Sequence, residues 1–223
     1  MLYDWQPLFL TFKLALVTTL ILIVIGIPLS YWLSFSKRKF KYIIEALVSM
    51  PLALPPTVLG FYLLLIFSPN NALGHFLEST FDIRVVFSFL GLVIGSVIFS
   101  LPFMVNPLKA GFQSLPAYLT EVSYTLGKTK SETLFKVLLP SLKPSLLTGI
   151  VMSFAHTIGE FGVVLMIGGS IPGKTKVASI AIYGEVEALN YSTANFYSLI
   201  LVGTCFLLLF SLYWFNRRSP QTF

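Results

Sequence analysis

Five stretches of this chain are each long and apolar enough to cross a bilayer, and that property limits everything else the chain can be. A helix rises 1.5 Å per residue, so roughly 20 mainly apolar residues span about 30 Å of hydrocarbon. The stretches run from about Leu8 to Leu33, Ile43 to Phe67, Val86 to Val105, Leu146 to Ile167 and Phe196 to Phe215. None shows the ten-residue alternation of a membrane barrel strand. The chain reads as an all-α membrane protein with five predicted transmembrane helices. Only 11% of its residues are charged, against about 25% in soluble domains. That excludes an ordinary soluble enzyme, a disordered chain and a secreted disulfide scaffold; Cys205, the one cysteine, has no intrachain partner. The first stretch lacks the basic start and small-residue cleavage site of a secretory signal, so it is expected to be retained. Lys13, near its end, is expected to snorkel toward the headgroups.

The basic residues set the expected orientation. Lys37, Arg38, Lys39 and Lys41 follow the first span; Lys109, Lys128, Lys130, Lys136 and Lys143 follow the third; Arg217 and Arg218 follow the last. The opposite face holds Lys13, Arg84, Lys174 and Lys176. Positive residues mark the cytoplasmic side, which places the N-terminus outside and the C-terminus inside. The net charge of +6 is thereby a topology signal, and no nucleic-acid partner is expected. No internal repeat is evident, which counts against a secondary carrier built from paired halves. So small a bundle favours a dimer with the path at its interface.

Residues 107–145 form the longest region that is neither apolar nor simply loop. Ser114 is expected to cap a helix with Pro116 in its first turn, and Leu115, Leu119, Val122 and Leu126 fall at helical spacing. Gly127 ends that pattern, as a left-handed residue does at a helix C-terminus. Thr129 and Glu132 have the spacing of a capping box for a second helix. Leu134, Phe135 and Leu138 supply its apolar side, Pro140 is expected to stop it, and Pro144 suits the first turn of the fourth span. Two readings are open for such a helix pair: it lies on the membrane surface or its own bundle, or it docks into a soluble partner's groove.

The second span contains MPLALPPTVLGFY, with Pro51, Pro55, Pro56 and Gly60 at membrane depth. Each internal proline removes a helix hydrogen bond. The span is either a kinked packing helix or a break that lines a path. The fourth span carries Ser153, His156, Thr157 and Glu160, which as one helix share an arc of about 100°. A charge near midplane costs about 2.5–3.5 kcal/mol, so Glu160 should face the bundle interior or a cavity, with His156 as a candidate partner. Singly, each of the four suits a buried hydrogen bond; together they mark a polar path or gate. There is no zinc-like cluster, phosphate loop or nucleophile–base pair, so no catalysis and no bound cofactor are expected of this chain.

The stretch EVSYTLGKTKSETLFKVLLPSLKPSLLTG resembles the cytoplasmic loop of binding-protein-dependent ABC importer permeases, through Glu121, Leu126, Gly127, Phe135, Val137, Leu139, Pro140, Pro144 and Gly149. Val122 and Ser123 stand where the family usually has alanine. MPLALPPTVLGFYLLL, HTIGEFG and GSIPGKTK resemble segments of molybdate importer permeases, with sulfate and tungstate permeases as near relatives. The likeness covers most of residues 5 to 215 and departs at His156, where another polar or basic residue is usual. It implies one type I ABC importer transmembrane domain over residues 1–223, in a bacterial cytoplasmic membrane. It further implies a homodimer, two ABC ATPase subunits that use ATP and Mg, and an external oxyanion-binding protein. Residues 107–145 would be the coupling segment, with Glu121, Leu126, Gly127, Phe135, Leu139 and Pro140 meeting the ATPase. Pro55, Pro56, Gly60, Ser153, His156, Thr157 and Glu160 are candidates for the path or its gate. An ionised Glu160 would repel an oxyanion, so it is expected to be a gate or anchor rather than a ligand. Lys174 and Lys176, beside the Pro172–Gly173 turn, either meet the binding protein or are solvated loop charges. A proton-coupled carrier using His156 and Glu160 as a relay is the alternative of another class.

Overall fold

The computed structural model describes residues 3–217, and Arg218 lies outside them. In chain order the helices are α1 (Gln6–Phe35), α2 (Lys41–Ala53), α3 (Pro56–Phe67), α4 (Ala72–Phe81), α5 (Phe89–Ser114) and α6 (Tyr118–Thr125). They continue with α7 (Lys130–Ser141), α8 (Lys143–Gly159), α9 (Gly162–Gly168), α10 (Ala178–Glu187) and α11 (Tyr191–Arg217). No strand occurs among the described residues. Three helices, α1, α5 and α11, are long and apolar enough to cross a membrane unbroken, and up to five spans result if the bent pairs α2 with α3 and α7 with α8, the latter bent by 81°, each count as one.

The expected second and fourth spans are not single helices. α2 and α3 meet at 115°. Pro55 and Pro56 have no amide hydrogen to continue the ladder, and the ring of Pro55 pushes Leu54 out of helical geometry to φ −84°, ψ 141°. Pro56 then opens α3, a position where its missing hydrogen costs nothing. Pro51 differs, being buried within α2. The second break contains no proline. α8 ends at Gly159, Glu160 is extended at φ −67°, ψ 132°, and α9 restarts at Gly162. The helical spacing that joins Ser153, His156 and Thr157 therefore does not reach Glu160.

α1, α5 and α8 pack on one another and form the centre. Toward one end of the bundle Leu10, Leu14, Leu59, Leu92, Val163 and Ile167 make one core. Toward the other, Leu22, Met104, Leu108, Phe112, Leu138 and Leu142 make a second. Small residues let these backbones approach closely. A Cβ on Gly26 would stand 2.6 Å from Met104 Cγ, and one on Gly149 2.9 Å from Met104 Sδ. Ser30 on α1 donates to the Val105 carbonyl of α5 at 3.2 Å. α2 is tied to α5 by Lys109 and Glu45 at 2.8 Å, both side chains about three-quarters buried. α10, a helix absent from the expected pattern, sets Ala178 and Ala181 against Leu8 and Tyr197. Its Ala178 N–H donates to Thr11 Oγ1 at 2.8 Å. α4 is likewise unanticipated, capped by Asn71 and closed by left-handed Asp82.

At the α7 end the expected helix pair is present with two corrections. α5 continues to Ser114, whose hydroxyl donates to the Gly111 carbonyl at 2.8 Å instead of capping α6. Pro116 accordingly precedes α6. Pro140 does not stop α7. A π turn over Leu134–Leu138, closed by Leu139 N–H to the Leu134 carbonyl, widens the helix just before the ring, and the chain bends at Leu142 instead. Gly127 takes φ +75°, as its position requires. Its N–H donates to the Tyr124 carbonyl at 2.9 Å, and Lys128 N–H to that of Ser123 at 3.1 Å, a Schellman closure. The Thr129–Glu132 capping box forms in both directions.

Candidate functional site

The two breaks face one another. A Cβ on Gly162 would stand 2.8 Å from Pro56 Cβ and 3.2 Å from Thr57 N, so the first turns of α9 and α3 touch backbone to backbone. One turn further, a Cβ on Gly60 would lie 2.7 Å from Met166 Cβ and 3.0 Å from Val163 Cα. Beside this contact opens a cleft of about 540 Å³ lined by Pro56, Thr57, Phe99, Ala155, His156, Gly159, Glu160, Phe161 and Gly162. Thr57 N–H, in the first turn of α3, has no helical carbonyl to bond.

The imidazole of His156 is held on three sides. Its Nδ1 lies 3.0 Å from Ser100 Oγ, and the ring stacks on Phe103 at 4.0 Å and tilts against Phe99 at 4.9 Å. Ser100 Oγ also lies 3.0 Å from Thr157 Oγ1, which donates to the Ser153 carbonyl at 2.9 Å. With Thr157 spending its proton on that carbonyl, Ser100 must donate to Thr157. His156 Nδ1 is then the protonated nitrogen that completes the chain of three bonds. His156 is thus partnered across helices by α5, not by Glu160 as its spacing predicts.

Glu160 is 4% exposed. Its main chain accepts a 2.6 Å hydrogen bond from Ser179 Oγ of α10. Its carboxyl oxygens have no hydrogen-bond partner among the described residues, with Ser96 the polar side chain beside them. Thr18, Thr19, Ser96 and Ser153 are further buried hydroxyls without a partner there, on α1, α5 and α8.

Of the residues singled out by sequence, Pro56, His156 and Glu160 come together at the cleft. Gly60 lies just behind it in the α3–α9 contact. Ser153 and Thr157 are fully buried in the bundle and do not line it, and Pro55, though exposed, is not among its lining residues. Sequence reasoning missed Thr57, Phe99 and Gly162 at the wall and Ser100 behind it. The GEFG run was the available signal for Gly162; nothing local marks Ser100. Among the described residues no group of three His, Cys, Asp or Glu is placed to hold a metal.

A second surface lies on α6 and α7. Ser123 Oγ and Thr133 Oγ1 meet at 2.8 Å, both buried, and pin the two helices together. The serine that departs from alanine here is thus the seam of the elbow. Leu134 and Leu138 turn inward to the core, while Tyr118, Val122, Leu126 and Phe135 point outward, Leu126 being 71% exposed. The expected apolar stripe is therefore divided, with Leu115 and Leu119 packed inward and Val122 and Leu126 free. A shallow hollow of about 150 Å³ runs along the free side between Tyr118, Leu126 and Val137. Glu132 accepts from Lys136 Nζ at 2.9 Å and from Thr129 N–H at 3.2 Å, which hold its carboxyl down at about 2. At the far end, Lys174 and Lys176 sit on a turn whose amides converge on the Ile171 carbonyl.

Discontinuous helices meeting at a cleft near the bundle core are how membrane transport proteins expose backbone at depth without leaving it unsatisfied. The architecture is that of a multi-pass membrane transport component. Residues 9–220 match the family of binding-protein-dependent transport system inner membrane components, and the chain belongs to that family. It is 42% identical over 211 residues to the molybdenum transport system permease protein ModB of Azotobacter vinelandii, covering 95% of this chain and 93% of that one. With the sulfate transport system permease protein CysT of Salmonella typhimurium it shares 34% over 189 residues, 85% of this chain and 68% of the relative. Among solved structures, an inward-facing form of the MetNI methionine ABC transporter has the same fold. The TM-score is 0.72 at 19% identity, over 95% of this chain and 94% of that one.

Proposed function

We propose that this chain is the membrane-spanning permease subunit of an ATP-driven importer, and that its cargo is molybdate. The observation that carries the reading is the pairing of two features in one small bundle: a cleft where two broken spans meet, and a rigid apolar elbow at the end of the bundle beside α7. The cargo rests on the 42% identity with the molybdenum permease, which extends over nearly all of both chains. The basic segments support an elbow on the cytoplasmic side and an N-terminus outside.

In this reading the chain pairs with a second copy, and each elbow seats in one ATPase subunit. Those subunits bind ATP and Mg and do the hydrolysis. The exposed Leu126, Phe135, Val122 and Tyr118 enter the ATPase cleft, with Glu121, Leu139 and Pro140 at its margin. Gly127 sets the angle between the helices, and the Schellman and capping-box closures on either side keep that angle fixed. An elbow that does not flex passes the ATPase displacement into α5 and α8, the helices that precede and follow it. The cleft then opens alternately to each side. A tetrahedral dianion released by an external binding protein crosses past the Thr57 hydroxyl and its free amide, which stabilise it briefly without trapping it. Glu160 does not coordinate it; the residue is anchored in the wall of the break through its main-chain carbonyl, and its carboxyl acts as part of the gate. Lys174 and Lys176 face the binding protein.

The test is uptake of radiolabelled molybdate by the chain reconstituted with its ATPase and binding protein. Uptake should require ATP and be competed by tungstate more strongly than by sulfate. Preference for sulfate overturns the cargo. Uptake driven by a pH gradient without the ATPase overturns the importer and returns His156 and Glu160 to a relay. The Gly127→Asp variant should insert normally but lose ATPase on co-purification, and unchanged transport with unchanged co-purification would sink the elbow's role.

A further inference from the structure

At the end of the bundle opposite the elbow, a cavity of about 480 Å³ opens between the start of α1, residues 84–89 and the turn containing Gly173. Three cations line it from three separate segments: Lys13, Arg84 and Lys174. The ion pairs among the described residues are Lys109–Glu45 and Lys136–Glu132, so none of the three is paired. Asp4, Asp82 and Glu185, the acids nearest Lys13, Arg84 and Lys174 in sequence, are not among the lining residues. Like charges gathered in a partly apolar recess repel, and the recess walls of Leu10, Val86 and Phe87 weaken their screening by water.

Lys13 sharpens the point. It stands on the face of α1 that carries Phe9, Leu16 and Leu20, all exposed apolar residues at helical spacing. Its recorded neighbour is the Phe89 ring, 4.8 Å from Nζ. So near the start of α1, its apolar stem lies along this stripe while Nζ reaches up into the cavity. The N-terminus of the 26-residue α5 adds to the same field, with Ser88 as its cap accepting the Gly91 N–H at 3.2 Å.

We propose that this cavity is a binding site for a tetrahedral oxyanion group, supplied by a free inorganic oxyanion or by the phosphate of an anionic lipid headgroup. Arg84 offers two parallel N–H donors to two oxygens of such a group, and the lysines add point charge. The volume equals about sixteen waters at ~30 Å³ each. That holds an oxyanion with its hydration or a glycerophosphate headgroup. The site stands apart from the cleft and does not depend on the cargo assigned above.

The experiment uses the full chain assembled with its ATPase in lipid nanodiscs, without ATP or binding protein. One arm measures phosphatidylglycerol retained per protomer by native mass spectrometry. The other measures radiolabelled molybdate and sulfate bound in phosphatidylcholine discs by equilibrium dialysis. Wild type should bind in one arm, which identifies the source, and the K13Q/R84Q/K174Q variant should lose at least tenfold in affinity or occupancy there. Arg84→Gln alone should give a partial loss, which guards against misfolding of the triple variant, and Lys176→Gln, outside the lining, should leave anion binding in both arms as in wild type. Wild type silent in both arms, or a triple variant that binds as wild type does, overturns the site. Because neither arm involves transport, a complex that transports but binds no anion here fails only this proposal. One that binds but does not transport fails only the importer reading.

Discussion

The two breaks that meet at the cleft look alike and arise differently. At Leu54–Pro55 the cause is covalent: two consecutive prolines have no amide hydrogen, and no neighbour is needed to end the helix. At Glu160–Phe161 both residues have one, and the chain leaves the helix because of what surrounds it. Ser179 takes the Glu160 carbonyl, and Gly162 lies against Pro56 so closely that α9 has one place to start. One discontinuity is written into its own residues; the other exists only when α3 and α10 are in position. The second break is thus the one an alternating mechanism can make and unmake.

Substitutions can separate these origins. The largest effect is expected from Gly162→Val or Gly60→Val, since either side chain meets backbone or Cβ atoms of the facing helix within about 3 Å. Overpacking of this kind costs about 1–3 kcal/mol or more, and uptake should fall by at least about tenfold with insertion preserved. Gly159→Ala, immediately before the second break, meets nothing within 4 Å and should leave uptake within about twofold. Equal losses at 159 and 162 would show that glycine flexibility, not close approach, makes the break.

Ser179→Ala comes next. It removes one hydrogen bond from the context-made break, about 1 kcal/mol, and should lower uptake several-fold while hydrogen exchange rises around 159–162 and not around 54–57. Parallel changes at both places would mean the breaks share one cause. The smallest effect is expected from a single helix cap in the elbow, remote from both breaks. Thr129→Ala should cost about 1 kcal/mol in local stability, read as faster amide exchange over residues 130–134.

Glu132 supplies the pH counterpart. Its carboxyl is held at about 2 against an ordinary 4.5 by Lys136 and the Thr129 amide. A depressed carboxylate contributes in full above the ordinary value and loses its contribution as pH falls toward the folded one. The elbow should keep its Glu132 contacts at neutral pH and lose them between about 4.5 and 2. The carboxyl carbon shift of Glu132 should titrate near 2, and Lys136→Gln should move that midpoint upward.

What was legible follows the same division. The long apolar runs, the proline break, the Gly127 turn and the Thr129–Glu132 box are short-range and were readable. Pro140 misled because the π turn that accommodates it is not a standard helix, and Ser114 because α5 runs on past its apolar part. The hidden features belong to distant partners. Ser100 claims His156 from 56 residues away, and α10, ten residues long, is too short to register as a span and is fixed by Thr11 and Tyr197. Glu160 was readable as buried, but its departure from the helical stripe was not, since no residue at 160 or 161 forbids a helix.

The Glu45–Lys109 ion pair has a mechanical consequence. It fastens α2 to α5, whereas α3 is fastened to α9 through Gly60 and Gly162. The two halves of the proline-broken span therefore belong to different plates of the molecule, and the prolines form the crease between them. Torque applied to α5 reaches α2 first and strains the crease before it disturbs the glycine lock. In the proposed importer such a joint would give lost motion, a small travel at the elbow that leaves the cleft as it is and makes the larger stroke a threshold event.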